Sequence, residues 1–380
     1  MKSIIAVYFV IFSVVVSVPA QAAVQYTITD LGTLGGSTST ASGINNNGQV
    51  VGWSYISNSS NAFHAFRTAP NNPISSATDD LGGTNSQAFD INDLGQVVGQ
   101  SGNHAFRTAP NKPINSATDN IGNLCDQSYA YAINNNGQVA GYANTSSNHS
   151  WFAFRTTANQ SINPATDNLG TFGGNMSDGQ AINNSGQVVG RSYTSSYAEH
   201  AFRTGPNMPI VPSTDDLGTF GGPYSEAYDI NDSGRVVGRA VTSGYAIHAF
   251  RTAPNQPVSS STDDLGTLGG LHSYAYGINN QGDVVGSSFI NSGVQHAFIF
   301  SDTSGRMQDL NDLIDPALGW TLGDAVAIND HGQIVGNGAN SAGQSHAFLL
   351  TPVPEPSALS LLTLALVSFL AFAWRRWQAA

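Results

Sequence analysis

The sequence predicts an all-β chain: a seven-bladed β-propeller of four-stranded blades, with an N-terminal signal peptide and a C-terminal transmembrane helix. Three observations carry that expectation. An Ile-Asn pair recurs at Ile44, Ile91, Ile133, Ile182, Ile230, Ile278 and Ile328, in steps of 47, 42, 49, 48, 48 and 50. Each unit holds four short segments rich in Val, Ile, Phe, Thr and Tyr, punctuated by Gly, Asn and Pro, which is how strands and turns read. The body has no sustained helical period. Four strands in each unit of 40–50 residues is the pattern of a propeller blade.

The first element is residues 1–22. Lys2 precedes an apolar run from Ile4 to Val18, and Ala20-Gln21-Ala22 follows with small residues at both cleavage positions. This is a charged start, an apolar run and a small-residue cleavage site. The expectation is an exported protein whose mature chain begins at Ala23.

Residues 23–351 form the repeat body. A Gly-x-Val-x-Gly run follows each Ile-Asn pair, as in Gly48-Gln49-Val50-Val51-Gly52, and ends in a variant at Gly332-Gln333-Ile334-Val335-Gly336. A His-Ala-Phe triplet comes next, at His64, His104, His200, His248, His296 and His346, with Trp151-Phe152-Ala153-Phe154 in the third unit. Asp-Leu-Gly stands at Asp30, Asp80, Asp216 and Asp264, with variants at Asn120, Asn168 and Asp309. The units resemble the HAF repeat of exported bacterial proteins, named for that triplet, which implies an extracellular address and no defined activity.

The segment Asn45-Asn46-Asn47-Gly48 reads as a tight turn between two strands, with Gly free to adopt positive φ. A Ca²⁺ loop is the competing reading, but several copies lack a carboxylate and the ion wants six to eight oxygens. The recurring histidines are read as structural, and neither a metal nor another cofactor is expected. Arg67, Arg107, Arg155, Arg203 and Arg251 follow the triplet and are expected to make cross-strand ion pairs with Asp79-Asp80 and its equivalents.

Ring closure has two possible forms. Either each blade starts at Asp-Leu-Gly, or that segment is the outer strand of the preceding blade and Tyr26–Leu31 completes the last one. The strand-turn-strand reading of Phe298 to Met307 favours the second.

Function is sought where the repeats differ. In Ser-x-Ala-x-x-Ile-Asn, the first variable position is Thr40, Gln87, Tyr129, Asp178, Glu226, Tyr274 and Asp324. If this strand is innermost, these side chains gather near one mouth of the axial channel, and their polar, acidic and aromatic mixture suits sugar hydroxyls or a cation. A net charge of −12 argues against a nucleic-acid partner. The single cysteine, Cys125, allows no internal disulfide. Glutamate is confined to Glu199, Glu226 and Glu355, which leaves few acid pairs for a glycosidase. The expected function is non-catalytic binding of extracellular polysaccharide or matrix, with a lyase or glycosidase at the channel mouth as the alternative.

The last element is residues 352–380. Pro354-Glu355-Pro356 precedes an apolar stretch from Ala358 to Trp374 and then Arg375-Arg376. The stretch is long enough to span a bilayer, with the arginines on the cytoplasmic side. Motif, helix and basic tail in that order resemble the PEP-CTERM sorting signal. The resemblance implies an exosortase as processing partner, transient anchoring in the inner membrane, and a final place at the cell surface or outside it.

Overall fold

A computed structural model describes residues 25–59, 61–145 and 150–353. The expected signal peptide and the sorting segment from Pro354 onward lie outside those residues. Among the described residues no helix is long and apolar enough to cross a membrane.

The fold is all-β and arranged as a β-propeller. Each repeat contributes three antiparallel strands in chain order. Repeat 1 pairs Ser39–Ile44 with Val50–Tyr55, and that strand with Phe63–Arg67. Repeat 4 does the same with Gly173–Ile182, Val188–Thr194 and Glu199–Arg203. A fourth, outer strand is added by Asp80–Gly82, Asp216–Gly218 and Met307–Asp309. In repeats 2, 3 and 5 it shrinks to one bridge, at Phe106–Asn120, Phe154–Asn168 and Phe250–Asp264. In full strand and single bridge alike, the Asp or Asn side chain accepts the N–H two residues on, as Asp80 does from Gly82 at 2.7 Å and Asn120 from Gly122 at 2.8 Å. That bond turns the chain out of the ladder.

The strand Tyr26–Asp30 pairs antiparallel with Ser345–Pro352, with Tyr26 opposite Pro352 and Asp30 opposite Phe348. The N-terminal strand is thus the outer strand of the last repeat, the second of the two closures weighed above.

The triplet has a separate job for each residue. The phenylalanines, from Phe66 to Phe348, are the largest fully buried side chains, and the alanines before them are buried too. Full burial of one such ring is worth about 2–3 kcal/mol. The histidines of repeats 1, 4, 5, 6 and 7 bind the outer strand: His64 Nδ1 lies 2.9 Å from Asp80, and His200 2.8 Å from Asp216. His346 makes the same contact with Asp30, 2.8 Å away and 316 residues earlier. The Ser of Ser-x-Ala joins neighbouring repeats, since Ser86 Oγ accepts the Ala65 N–H at 2.9 Å and Ser225 Oγ that of Ala201 at 2.9 Å.

The arginines do not make the expected pairs with Asp79 and its equivalents. Arg67 donates to the Lys112 carbonyl at 3.1 Å, Arg107 to Gln160 at 3.0 Å and Arg203 to Gln256 at 3.0 Å, each in the next repeat. The aspartates are taken by their own loop, with Asp79 accepting from Ser75 N and Thr78 Oγ1. Among the described residues only Arg251 of this set has a carboxylate partner, Asp302 at 2.6 Å.

Candidate functional site

The inner strands surround an axis. The repeated isoleucines form its waist, each no more than 9% exposed, and separate two recesses. One recess, about 190 Å³, is lined by the Ile-Asn-Asn/Asp turns of all seven repeats. Here each Asn donates through Nδ2 to the backbone carbonyl of the next: Asn45 to Asn92, Asn92 to Asn134, Asn134 to Asn183, Asn183 to Asn231, Asn231 to Asn279, Asn279 to Asn329 and Asn329 back to Asn45. The next residue runs a second cycle, in which Asn46 N donates to Asp93, Asp93 N to Asn135, and so on to Asp330 N and Asn46. The polar side chains of this recess are thus bound to their neighbours.

The opposite recess, about 180 Å³, is lined by Phe89, Asp90, Tyr131, Gln180, Tyr228, Asp229, Tyr276 and smaller residues. The backbone explains why these side chains converge. Every inner strand carries a register shift, as between Ala41 and Gly43 or Ala227 and Asp229. Such a bulge leaves one residue unpaired and re-aims it. The skipped residue is Ser42, Phe89, Tyr131, Gln180, Tyr228, Tyr276 or Val326. The middle strand comes close at this point: a Cβ on Gly52 would lie 1.9 Å from the Thr40 carbonyl oxygen. That contact explains the last Gly of Gly-x-Val-x-Gly.

The seven residues singled out in the sequence sit two positions before the bulge residue and do not line this recess. They stand one step out, on the same faces as the variable residues of the neighbouring strands. Thr40 lies opposite Trp53 and Gln87 opposite Gln100. Tyr129 stacks on Tyr142, with centroids 4.9 Å apart. Asp178 and Glu226 are buried and held by Arg191 and Arg239, at 2.7 and 2.8 Å. Tyr274 stacks on Tyr276 and under Arg239. Asp324 accepts from Asn337 Nδ2 at 2.9 Å.

These outer positions and the bulge residues together make two kinds of surface. Across repeats 2 and 3 run five aromatic rings. Phe89 stacks on Tyr131 at 4.8 Å, Tyr131 lies 5.5 Å from Tyr142, and Trp151 sits edge-on to Tyr142 at 5.1 Å and to Tyr129 at 5.9 Å. Across repeats 4 and 5 the outer positions are charged instead, while the bulge residues are Gln180 and Tyr228: Arg191 bridges Asp178 and Glu199, and Arg239 holds Glu226. Burial pushes Asp178 up to about 6, against the pull of Arg191.

At the axis Asp90 accepts from the N–H groups of Ile91 and Ile133, and Asp229 from those of Ile230 and Ile278. Burial raises both to about 7, against those hydrogen bonds, and Asp90 adds to the rise at Asp229. Sequence reading missed the recess because strict period-two alternation gives no sign of a bulge. The available signal was the paired variability at the fourth and fifth positions of Ser-x-Ala-x-x-Ile-Asn.

Residues 108–204 match a family described as a protein of unknown function (DUF3466). No curated protein matches. Among solved structures, a puromycin hydrolase mutant complexed with PGG is similar at 11% identity and a TM-score of 0.44, over 81% of this chain and 53% of that one. The sialidase of Trypanosoma rangeli in complex with the inhibitor DANA is similar at 11% identity and a TM-score of 0.36, over 89% and 57%. A lectin mutant of Aleuria aurantia in complex with alpha-methyl-L-fucoside is similar at 9% identity and a TM-score of 0.32, over 88% and 97%. The chain thus spans little more than half the length of the first two. At these scores none bears on what this chain binds.

Proposed function

We propose that this chain is an exported, surface-sorted, non-catalytic seven-bladed β-propeller of the extracellular matrix or envelope, which binds polysaccharide through its variable face. The closed cycle of seven Asn-to-backbone bonds supports the blade count. The observation that carries the binding role is the row of five aromatic rings from Phe89 at the axis to Trp151 at the rim. Sugar rings carry C–H-rich faces that pack on aromatic planes, and tyrosine adds a polar tip for their hydroxyls. The test is binding of the full-length chain to immobilised polysaccharides. Trp151→Ala and Tyr129→Ala each weaken binding at least tenfold with folding intact; unchanged binding by both overturns the reading.

The terminal segments support the address. In a cell that makes an exosortase, the mature protein begins at Ala23 and is cut near Pro354-Glu355-Pro356, which frees it from the membrane helix. Mass spectrometry of that protein checks it, and an intact Ala380 end in such a cell counts against it.

One observation favours a hydrolase or lyase as second reading: Asp90 and Asp229 share a recess, and a raised carboxyl is what a general acid needs. Both oxygens of each are already held by backbone N–H groups, which favours a structural use. Polysaccharide cleavage that disappears in Asp90→Ala and Asp229→Ala decides for the enzyme.

A further inference from the structure

We propose that the cavity between repeats 4 and 5 is a subsite for one neutral pyranose residue of a glycan; this rests on the polysaccharide reading above. The cavity measures about 320 Å³ and is lined by Tyr193, Tyr197, Glu199, Tyr224, Arg239 and Ile247, among others. It lies where the third strand of repeat 4 meets the inner strand of repeat 5, with Glu199 paired to Tyr224 in parallel register. Its volume is at the lower end of the roughly 300–1,000 Å³ of small-molecule sites.

The rim carries an unusual residue. Tyr197 occupies the fourth position of the turn Thr194–Ala198, with φ of 63°, and its N–H donates to Thr194 O. Repeats 6 and 7 build the same turn with Gly293 and Gly343, at φ of 82° and 74°. Glycine adopts this conformation freely, and a bulky side chain there is an outlier. The turn therefore does not ask for tyrosine. Tyr197 holds its ring outward, 71% exposed, and Tyr224 on the facing strand is 50% exposed. Two tyrosine faces beside a cavity of this size suit the C–H face of a sugar ring.

The floor is polar and already fixed. Glu199 accepts from Tyr193 Oη at 2.9 Å and from Arg191 at 3.2 Å, and Arg239 is held on Glu226 at 2.8 Å. A carboxylate has about four acceptor sites, so Glu199 retains capacity for sugar hydroxyls without moving. Such prior ordering lowers the cost of binding. The charges select the ligand class. Arg191 and Arg239 face Asp178, Glu199 and Glu226, two cations against three carboxylates. An acidic sugar would add to the excess negative charge, and a neutral one does not.

The experiment measures binding of the full-length chain to neutral hexose oligosaccharides and to uronate oligosaccharides, with thermal unfolding alongside. The expected result is binding of the neutral set, weakened at least tenfold by Tyr197→Gly and Tyr224→Ala. Tyr245→Gly, the matching turn residue of repeat 5 outside the cavity, leaves it unchanged. Tyr197→Gly folds as wild type because Gly293 and Gly343 hold that position in sister turns, so it carries the test if Tyr224→Ala is unstable. Equal loss from Tyr197→Gly and Tyr245→Gly overturns the cavity as the site. Wild-type binding that Trp151→Ala weakens and Tyr197→Gly does not overturns this subsite alone. Preference for uronates overturns the ligand class, and binding of neither set overturns both this inference and the polysaccharide reading.

Discussion

The two recesses on the axis are made by the same strands, yet they differ in every respect that bears on function. On one side the repeats carry nearly the same Ile-Asn-Asn/Asp turn, and their amides pass a hydrogen bond around until it returns to Asn45. On the other side the bulge residue and its neighbour differ as a pair from each repeat to the next, although Tyr228 and Tyr276 share one type. Aromatic rings stand over repeats 2 and 3, and ion pairs over repeats 4 and 5. Uniform chemistry that satisfies itself is what closure requires. Varied chemistry on a rigid frame is what recognition requires. Substitutions on the two sides are therefore expected to part: stability falls on one, and binding on the other.

The largest effect is expected from breaking closure itself. Deleting Ala23 to Asp30 removes five paired residues and the buried Tyr26. It also leaves His346 and Asn340 without Asp30. We expect a loss of at least ~4 kcal/mol, from apolar burial and ladder bonds together. Circular dichroism should show one transition at lower temperature for the whole body. An unchanged Tm breaks the closure account.

Next in size is one amide of the uniform side. Asn183 is 3% exposed, accepts from Ser185 N and Gln187 N, and donates to Gln187 and the Asn231 carbonyl. Asn183→Ala leaves these buried partners unmatched and should cost about 2–4 kcal/mol while sparing glycan affinity. Trp151→Ala should do the reverse. If both variants lose stability and binding alike, the division between the two sides is wrong.

That division was partly legible in the sequence. The repeat count, the strand order and the turn at Asn45–Gly48 follow from spacing and from turn chemistry, which are local. The closing strand was legible as well, since the Phe298–Met307 hairpin fixes which side of the triplet the outer strand takes. The residues of the variable recess were displaced by two positions because the bulge between Ala41 and Gly43, repeated in each unit, depends on how two strands meet. The arginines were misread for a related reason. Their aspartate neighbours in sequence are consumed by the Ser75–Asp79 type of loop, and the guanidinium reaches a carbonyl one repeat away. Contacts between repeats leave no mark on the spacing within one.

A third test uses the two axial carboxyls. Asp90 and Asp229 are raised from the usual carboxyl range of about 4 to about 7 in the folded chain. A raised folded value means that the folded state holds protons that the unfolded state has released. Their contribution to stability is complete below roughly pH 4 and is lost as pH rises through about 7. Tm should thus climb as pH falls from 8 to 5. The opposite trend begins below that, because Asp30, Asp216 and Asp264 are held low and their contribution is lost on acidification. Burial opposes that lowering, but their His and backbone partners outweigh it. Five sister repeats carry Ala or Gly at the axial position, so Asp90→Ala with Asp229→Ala should fold. Its Tm should rise less steeply than wild type as pH falls from 8 to 5, and the rise that remains belongs to the raised Asp178 and His200. A wild-type slope retained in this variant removes both groups as the cause.

The smallest effect concerns a repeat that lacks the common clasp. In repeat 2 the outer segment reads Asn120-Ile121-Gly122, so among the described residues His104 meets no carboxylate; its Nδ1 lies 3.4 Å from Asn123 Nδ2. Asn120 already accepts the Gly122 N–H at 2.8 Å, as Asp216 does from Gly218. Asn120→Asp should therefore keep the turn and create the His–Asp contact found in repeat 4. There the hydrogen bond to Asp216 raises His200, against partial burial, while His200 and Gly218 hold Asp216 low. The pair is half-exposed, so its gain should stay within about 0.2–1 kcal/mol. The sign depends on both partners. The His part is present below its unfolded value and lost as pH rises through the folded one; the Asp part is present above its unfolded value and lost on acidification. The variant should gain most between about pH 4 and 6.5 and little at pH 9. NMR titration should show the His104 imidazole holding its proton to higher pH than in wild type. If that titration does not move, the clasp needs a regular outer strand as well as the carboxylate, and the single bridge at Asn120 does not supply one.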